Sequence, residues 1–163
     1  MRIKRKEGLL ILGVILLVFM FVMFSFSNTP YKEQDMRPFL EKIIHLNENS
    51  LPDIEFFYGG SLVTSKMPYD FIEFFIRKAS HVTEYALLAF LAGVFVRFAR
   101  PRLRVAAYFA SFFFSFFYAC LDEWHQSFIQ GRTGHIIDVI TFDSFGILIG
   151  LCLCHAVTKR IFS

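Results

Sequence analysis

Residues 8–26 read GLLILGVILLVFMFVMFSF, a run without a single charge. At about 1.5 Å per helical residue this stretch reaches roughly 28 Å, close to the hydrocarbon thickness of a bilayer. Arg2, Lys4, Arg5 and Lys6 precede it, and Ser25-Phe26-Ser27 closes it. A basic start, an apolar run and a small-x-small triplet also describe a secretory signal peptide. This apolar run is longer than most signals carry, so an uncleaved span is expected.

The rest of the chain reads in the same solvent. Of 163 residues, 55% are hydrophobic and 18% aromatic, with 23 phenylalanines, more apolar surface than a soluble domain of this length could hide. The length fits one domain with at most a small appendage. The net charge of +3 is small, and the basic residues lie in short clusters beside apolar runs, which excludes a nucleic-acid interface. Cys120, Cys152 and Cys154 lie in or beside apolar runs at spacings that suit neither a disulfide framework nor a zinc site. No cofactor motif is present, and none is expected to be bound.

Three further spans follow the first: Val82 to Phe98, interrupted by Glu84 and Arg97; Val105 to Leu121; and Ile136 to Val157. Residues 28–79 differ in kind, being polar and acidic and punctuated by Pro30, Pro38, Pro52, Pro68 and Gly59-Gly60. Leu40, Ile43, Ile44 and Leu46 suit a short amphipathic helix. Tyr69 to Ile76 suits an interfacial helix leading into the second span. A small folded cap is the alternative for this region. The organisation expected is therefore 1–27 as basic N-terminus and first span, 28–79 as a loop region with short amphipathic helices, and 80–163 as a three-helix core.

Charge sets the orientation. The N-terminus, the 97–104 loop and the C-terminus hold ten of the 17 Lys and Arg but only Glu7 of the 14 acids. By the positive-inside rule these three face the cytoplasm. The expected fold is an all-α membrane protein of four transmembrane helices, both termini cytoplasmic, with an extracellular loop region after the first span.

Polar side chains collect at the outer boundary. Lys78, His81 and Tyr85 share one helical stripe, with Arg77, His81 and Glu84 on a neighbouring one. Tyr118, Asp122 and His125, at i, i+4 and i+7, form a like stripe on the third helix, beside Glu123 and Gln126. Gly131, Arg132 and Gly134 lie in the connecting loop, Asp138 opens the fourth helix, and Asp143 sits deeper along it. Ionisable groups at the ends of spans are costly to keep there and invite a functional reading.

The pattern Lys78-x-x-His81-x-x-x-Tyr85, then Asp122-Glu123-x-His125-Gln126-x-Phe128-x-x-Gly131-Arg132, then Asp138 and Gly146, resembles the VanZ-like family of small bacterial membrane proteins. The resemblance covers roughly residues 77 to 150. Two positions depart from it: Gln130 stands where a proline usually precedes Gly-Arg, and Asp143 falls one residue later than the polar position expected after Asp138. The resemblance implies a cell-envelope protein associated with low-level resistance to teicoplanin-type glycopeptides. It brings no cofactor and no established catalytic residue.

Three readings of the cluster stand side by side. In one, the charges pair only to hold helix ends together. In the second, Arg132, Lys78 and Arg77 hold an anionic headgroup, of a lipid-linked cell-wall precursor or a phospholipid, with Asp122, Glu123 and Gln126 orienting them. In the third, His81 or His125 beside Asp122 or Glu123 forms the general base of a hydrolase or transferase acting on a headgroup. No nucleophile stands out for it, Cys120 and Ser127 being the nearest. We expect the second, with Lys78, His81, Glu84, Tyr85, Asp122, Glu123, His125, Gln126, Arg132 and Asp138 as ligand-binding residues. A metal bound by His81, His125, Asp122 and Asp138 lacks a recognisable spacing, and no metal is expected. Gly146-x-x-x-Gly150 permits close helix approach, within the bundle or between copies, which suggests a homo-oligomer only weakly.

Overall fold

The uncharged run at 8–26 lies within a single helix, α1 (Arg2–Ser27). A computed structural model describes residues 2–162, with side chains for 5–160; Arg2 and Lys4 of the basic N-terminus fall outside the side chains described. Pro30 stops α1 from continuing, since it has no backbone N–H to extend the ladder. Two short helices follow, α2 (Tyr31–Gln34) and α3 (Arg37–Ile43).

Next comes an element that an all-helical reading of residues 28–79 omits. Strands β1 (Glu55–Tyr58) and β2 (Ser61–Thr64) pair antiparallel, Glu55 opposite Thr64 and Tyr58 opposite Ser61. Gly59 and Gly60 turn between them with φ of 57° and 85°. That geometry defines a two-residue type I′ turn, which needs positive φ at both central positions. The hairpin lays Phe56 edge-on against Phe71, Phe74 and Phe75.

Those phenylalanines open α4 (Pro68–Ala99), so the helix expected at 69–76 runs without a break into the second span. Proline is favoured in the first turn, where its missing N–H is needed least, and Asp70 there complements the helix dipole. At about 1.5 Å per residue α4 is roughly 48 Å long, so its first turns extend past the hydrocarbon. It ends at Arg100-Pro101, where the Arg97 guanidinium donates to the Pro101 carbonyl.

Helix α5 (Arg104–Gln126) turns a narrow face inward: Ala107, Ser111, Ser115, Ala119 and Glu123, four residues apart, are all buried. Phe109, Phe113, Phe117 and Trp124 point outward to the apolar surround. The last rod consists of α6 (Ile136–Asp138), a π-helical turn (Val139–Asp143) and α7 (Ser144–Phe162). Four helices, at 5–27, 68–99, 104–126 and 136–160, are long and apolar enough to cross a membrane.

The closest packing joins α4 to α7. A Cβ added at Gly146 would collide with the Val82 carbonyl, and one at Gly150 with the Ala86 carbonyl. Gly146-x-x-x-Gly150 is thus used within the bundle, as small residues are in membrane helix contacts. Met23, Tyr85, Leu88, Ala89, Ala119, Val139 and Ile147 form the core they enclose. Helix α1 joins it through Met23, through Tyr118, whose hydroxyl donates to the Met20 carbonyl at 2.9 Å, and at the far end through Arg5, which donates to the carbonyls of Phe98 and Ala99.

Candidate functional site

Lys78, His81 and Tyr85 leave one face of α4, each toward a different acid. The Lys78 ammonium pairs with Asp138 and is ringed by Tyr58, Phe74 and Phe142, 4.8, 5.3 and 5.6 Å from their centroids. The Tyr58 hydroxyl donates to the same carboxylate at 2.7 Å. Burial and that carboxylate push the Tyr58 phenol above its ordinary value, so it stays a donor. The Tyr85 hydroxyl donates to Asp122 Oδ2 at 3.1 Å, and Gln126 Nε2 to the same oxygen at 2.8 Å.

His81 turns to a residue left out of the expected site. Its Nδ1 lies 3.0 Å from Asp143 Oδ1 and 3.8 Å from Glu123 Oε1. Asp143 is fully buried. The π turn explains why an acid five residues after Asp138 still faces inward. An α-helix advances about 100° per residue, which would leave Asp143 roughly 140° around from Asp138. The wider π turn, with i to i+5 closure, stacks the two acids on one face. Glu123 Oε2 in turn accepts the His135 backbone N–H at 2.7 Å.

Arg132 reaches back to the end of α1. Its Nη1 donates to the Phe26 carbonyl at 2.9 Å, to the Ser27 carbonyl at 3.4 Å and to Gln34 Oε1 at 3.0 Å, while its buried Nε has no partner. Burial, and next the nearby Arg77 charge, pull the Arg132 guanidinium below its usual value. Arg77 stands 5.1 Å from the Tyr31 ring centroid. Among the described residues, no carboxylate oxygen lies within 4.0 Å of either guanidinium. Both line a cavity of about 340 Å³ with His81, Glu84, Asp122 and Gln126. A smaller cavity of about 230 Å³ shares Arg77, His81 and Gln126 and is lined further by Tyr31, Tyr58, Lys78, His135 and Asp138.

Over these cavities lies the α2–α3 strap. Tyr31 donates to Glu73 at 2.9 Å, and burial with that carboxylate pushes its phenol up to about 12. Arg37 bridges Asp35, at 2.7 Å, and Asp70, at 2.9 Å, and holds the Asp35 carboxyl at about 2.

Three expected site residues line neither cavity: Tyr85 and Glu123, which stand behind the walls against Asp122 and His81, and His125, which lies elsewhere. His125 sits with Nε2 3.3 Å from Asn28 Oδ1 and its ring stacked on Phe24 at 5.0 Å, on neither cavity wall. Its stripe on α5 faces α1, and so does Tyr118. No pairing of His125 with Asp122 as base and orienting acid is therefore formed. Asp143, named in the polar cluster but left out of the expected site, joins it, and so do Tyr58, Tyr31 and His135, which were not among the expected site residues. Asp143 was readable as an acid within an apolar span, and Tyr58 as the last residue of a strand before Gly59-Gly60. Ser127, one of the nearest nucleophiles, donates its hydroxyl to the Trp124 carbonyl at 2.6 Å.

Four membrane-length helices with a polar rim at one end make this a small multi-span membrane protein. A family model described as VanZ/LLP1 matches residues 11–159, nearly the whole chain, and the protein belongs to that family. The match reaches well beyond 77–150 and takes in α1 from residue 11 onward. No curated protein sequence and no solved structure matches the chain.

Proposed function

We propose that the protein recognises an anionic headgroup, of a lipid-linked cell-wall precursor or a phospholipid, in the cavity between α1, α4 and α5, on the extracellular side of the cell membrane. The observation that carries this reading is the pair of guanidiniums, Arg77 and Arg132, that line one cavity without a carboxylate partner. Two like charges held close and partly buried favour an anion between them. Phosphate or pyrophosphate suits them, because guanidinium offers a planar fork of donors. Glu84, Asp122 and Gln126 on the same wall suit the hydroxyls or amides of a sugar or peptide. Sidedness rests on the ten basic residues gathered at the opposite end of the spans. Membership of a family whose VanZ namesake is associated with low-level resistance to teicoplanin-type glycopeptides supports a target among wall precursors. The protein would lower susceptibility by shielding or modifying that target.

A structural role has its own support: Lys78 is matched to Asp138, and Arg132 Nη1 caps the carbonyls at the end of α1. Substituting Arg77, whose side chain makes no hydrogen bond among the described residues, separates the two readings. Arg77→Gln is expected to leave abundance and melting unchanged while weakening headgroup binding about 10- to 100-fold, the loss of one charge-assisted contact, and abolishing any teicoplanin protection in a susceptible host. Unchanged protection and binding would favour the structural role.

A further inference from the structure

His81, Glu123 and Asp143 come from α4, α5 and the π turn, and each offers a donor atom within 4.8 Å of the other two. Two oxygens of the group, Glu123 Oε1 and Asp143 Oδ2, are buried and meet no hydrogen-bond donor. Their residues are 4% and 0% exposed. A buried carboxylate oxygen without a donor is costly, and two in one cluster call for a positive partner. Of the cations nearby only the His81 imidazole, if protonated, is in reach, one charge against two carboxylates. Lys78 is paired with Asp138, and the Arg77 and Arg132 guanidiniums have no carboxylate within 4.0 Å.

We infer that His81, Glu123 and Asp143 form a binding site for a divalent cation. One imidazole with two carboxylates, and no thiolate, selects a borderline first-row ion such as Zn²⁺ or Mn²⁺ over Cu⁺ or Ca²⁺. Ligand atoms about 2.0–2.2 Å from such an ion stand roughly 3.0–3.6 Å apart. From His81 Nδ1, Asp143 Oδ1 at 3.0 Å falls in that range and Glu123 Oε1, itself without a donor, at 3.8 Å lies just beyond it. On binding, the ion takes the Nδ1 lone pair and the proton shared with Asp143 leaves to solvent. Glu123 Oε2 keeps the His135 N–H at 2.7 Å, an outer contact that fixes the orientation of its carboxylate. Three protein ligands leave a coordination position open, and because His81 lines both cavities, water or an anion's oxygen can fill it. The site does not depend on the headgroup reading, since the ion is held by protein atoms alone.

The test is metal content and affinity of the full-length protein in detergent, stripped with EDTA and titrated with Zn²⁺ or Mn²⁺. About one equivalent is expected to bind, about 100-fold more weakly or not at all in Glu123→Gln and Asp143→Asn, and unchanged in Cys152→Ser and His155→Gln. No binding of either ion by the unsubstituted protein, or full binding by the two carboxamide variants, overturns the proposal. Should those variants fail to fold, X-ray absorption of the Zn²⁺-loaded unsubstituted protein decides. An imidazole nitrogen with oxygens in the first shell supports the site, and sulfur at about 2.3 Å overturns it.

Discussion

Asp35 and Arg37 show how single residues hold the strap above the cavities. Arg37 donates to Asp35 through its backbone N–H at 3.0 Å and its Nε at 2.9 Å, and reaches Asp70 through Nη1. The Asp35 carboxyl is thereby held at about 2, against an ordinary 3.8. A carboxylate held low contributes stability above its unfolded value and loses it as pH falls through the folded one. Residues 31–43 are therefore expected to loosen as pH drops from about 4 to about 2. Hydrogen exchange, corrected for intrinsic rates, should show it, and Asp35→Asn should weaken that pH dependence, leaving the part carried by Asp70 and Glu73. Equal protection at pH 5 and pH 2 would contradict it. At this scale much of the site was legible, because Lys78, His81 and Tyr85 are fixed relative to one another by helix geometry alone. His125 was not, since what decides its direction is Phe24 of α1 and Asn28 just after it, 101 and 97 positions away in the chain.

At the scale of elements, the π turn at 139–143 carries the largest departure from a sequence reading. Asp143 stands one residue beyond the place expected after Asp138, and the wider turn absorbs that residue, keeping both acids inside. Deleting Ile140, which is exposed to the apolar surround, should convert the turn to regular α-helix with the acids at i and i+4, still on one face. The variant should fold with a melting temperature close to that of the parent. Deleting Leu148, equally exposed but in regular helix, should rotate Gly146 or Gly150 off the α4 contact by about 100° and collapse the fold. Equal damage from both deletions would contradict the account. The hairpin, by contrast, was within reach of the sequence: Glu55 to Tyr58 and Ser61 to Thr64 flank Gly59-Gly60 as two short β-prone runs around a two-residue turn. Reading the glycines only as loop punctuation missed it, and with it Tyr58, the second donor on Asp138.

For the whole molecule, the apolar runs and the basic clusters were enough to count four membrane-length helices, because the bilayer fixes their length. How the helices pack was less legible. Gly146 and Gly150 announced a close contact without naming its partner, and only the fold assigns them to Val82 and Ala86. The same packing brings the ends of α1, α4 and α5 and the 127–135 loop around one concave spot, under the strap and beside the hairpin. The headgroup site rests on that cavity, where Glu84 and Asp122 share the wall with Arg77 and Arg132 but, among the described residues, no carboxylate oxygen comes within 4.0 Å of either guanidinium. Native mass spectrometry of the full-length protein extracted from bacterial membranes tests it most directly. A bound phosphate-bearing lipid, lost from an Arg77→Gln/Arg132→Gln variant that melts like the parent, is the predicted result. A spectrum without such an adduct, or one in which the double variant retains it, would contradict the headgroup site.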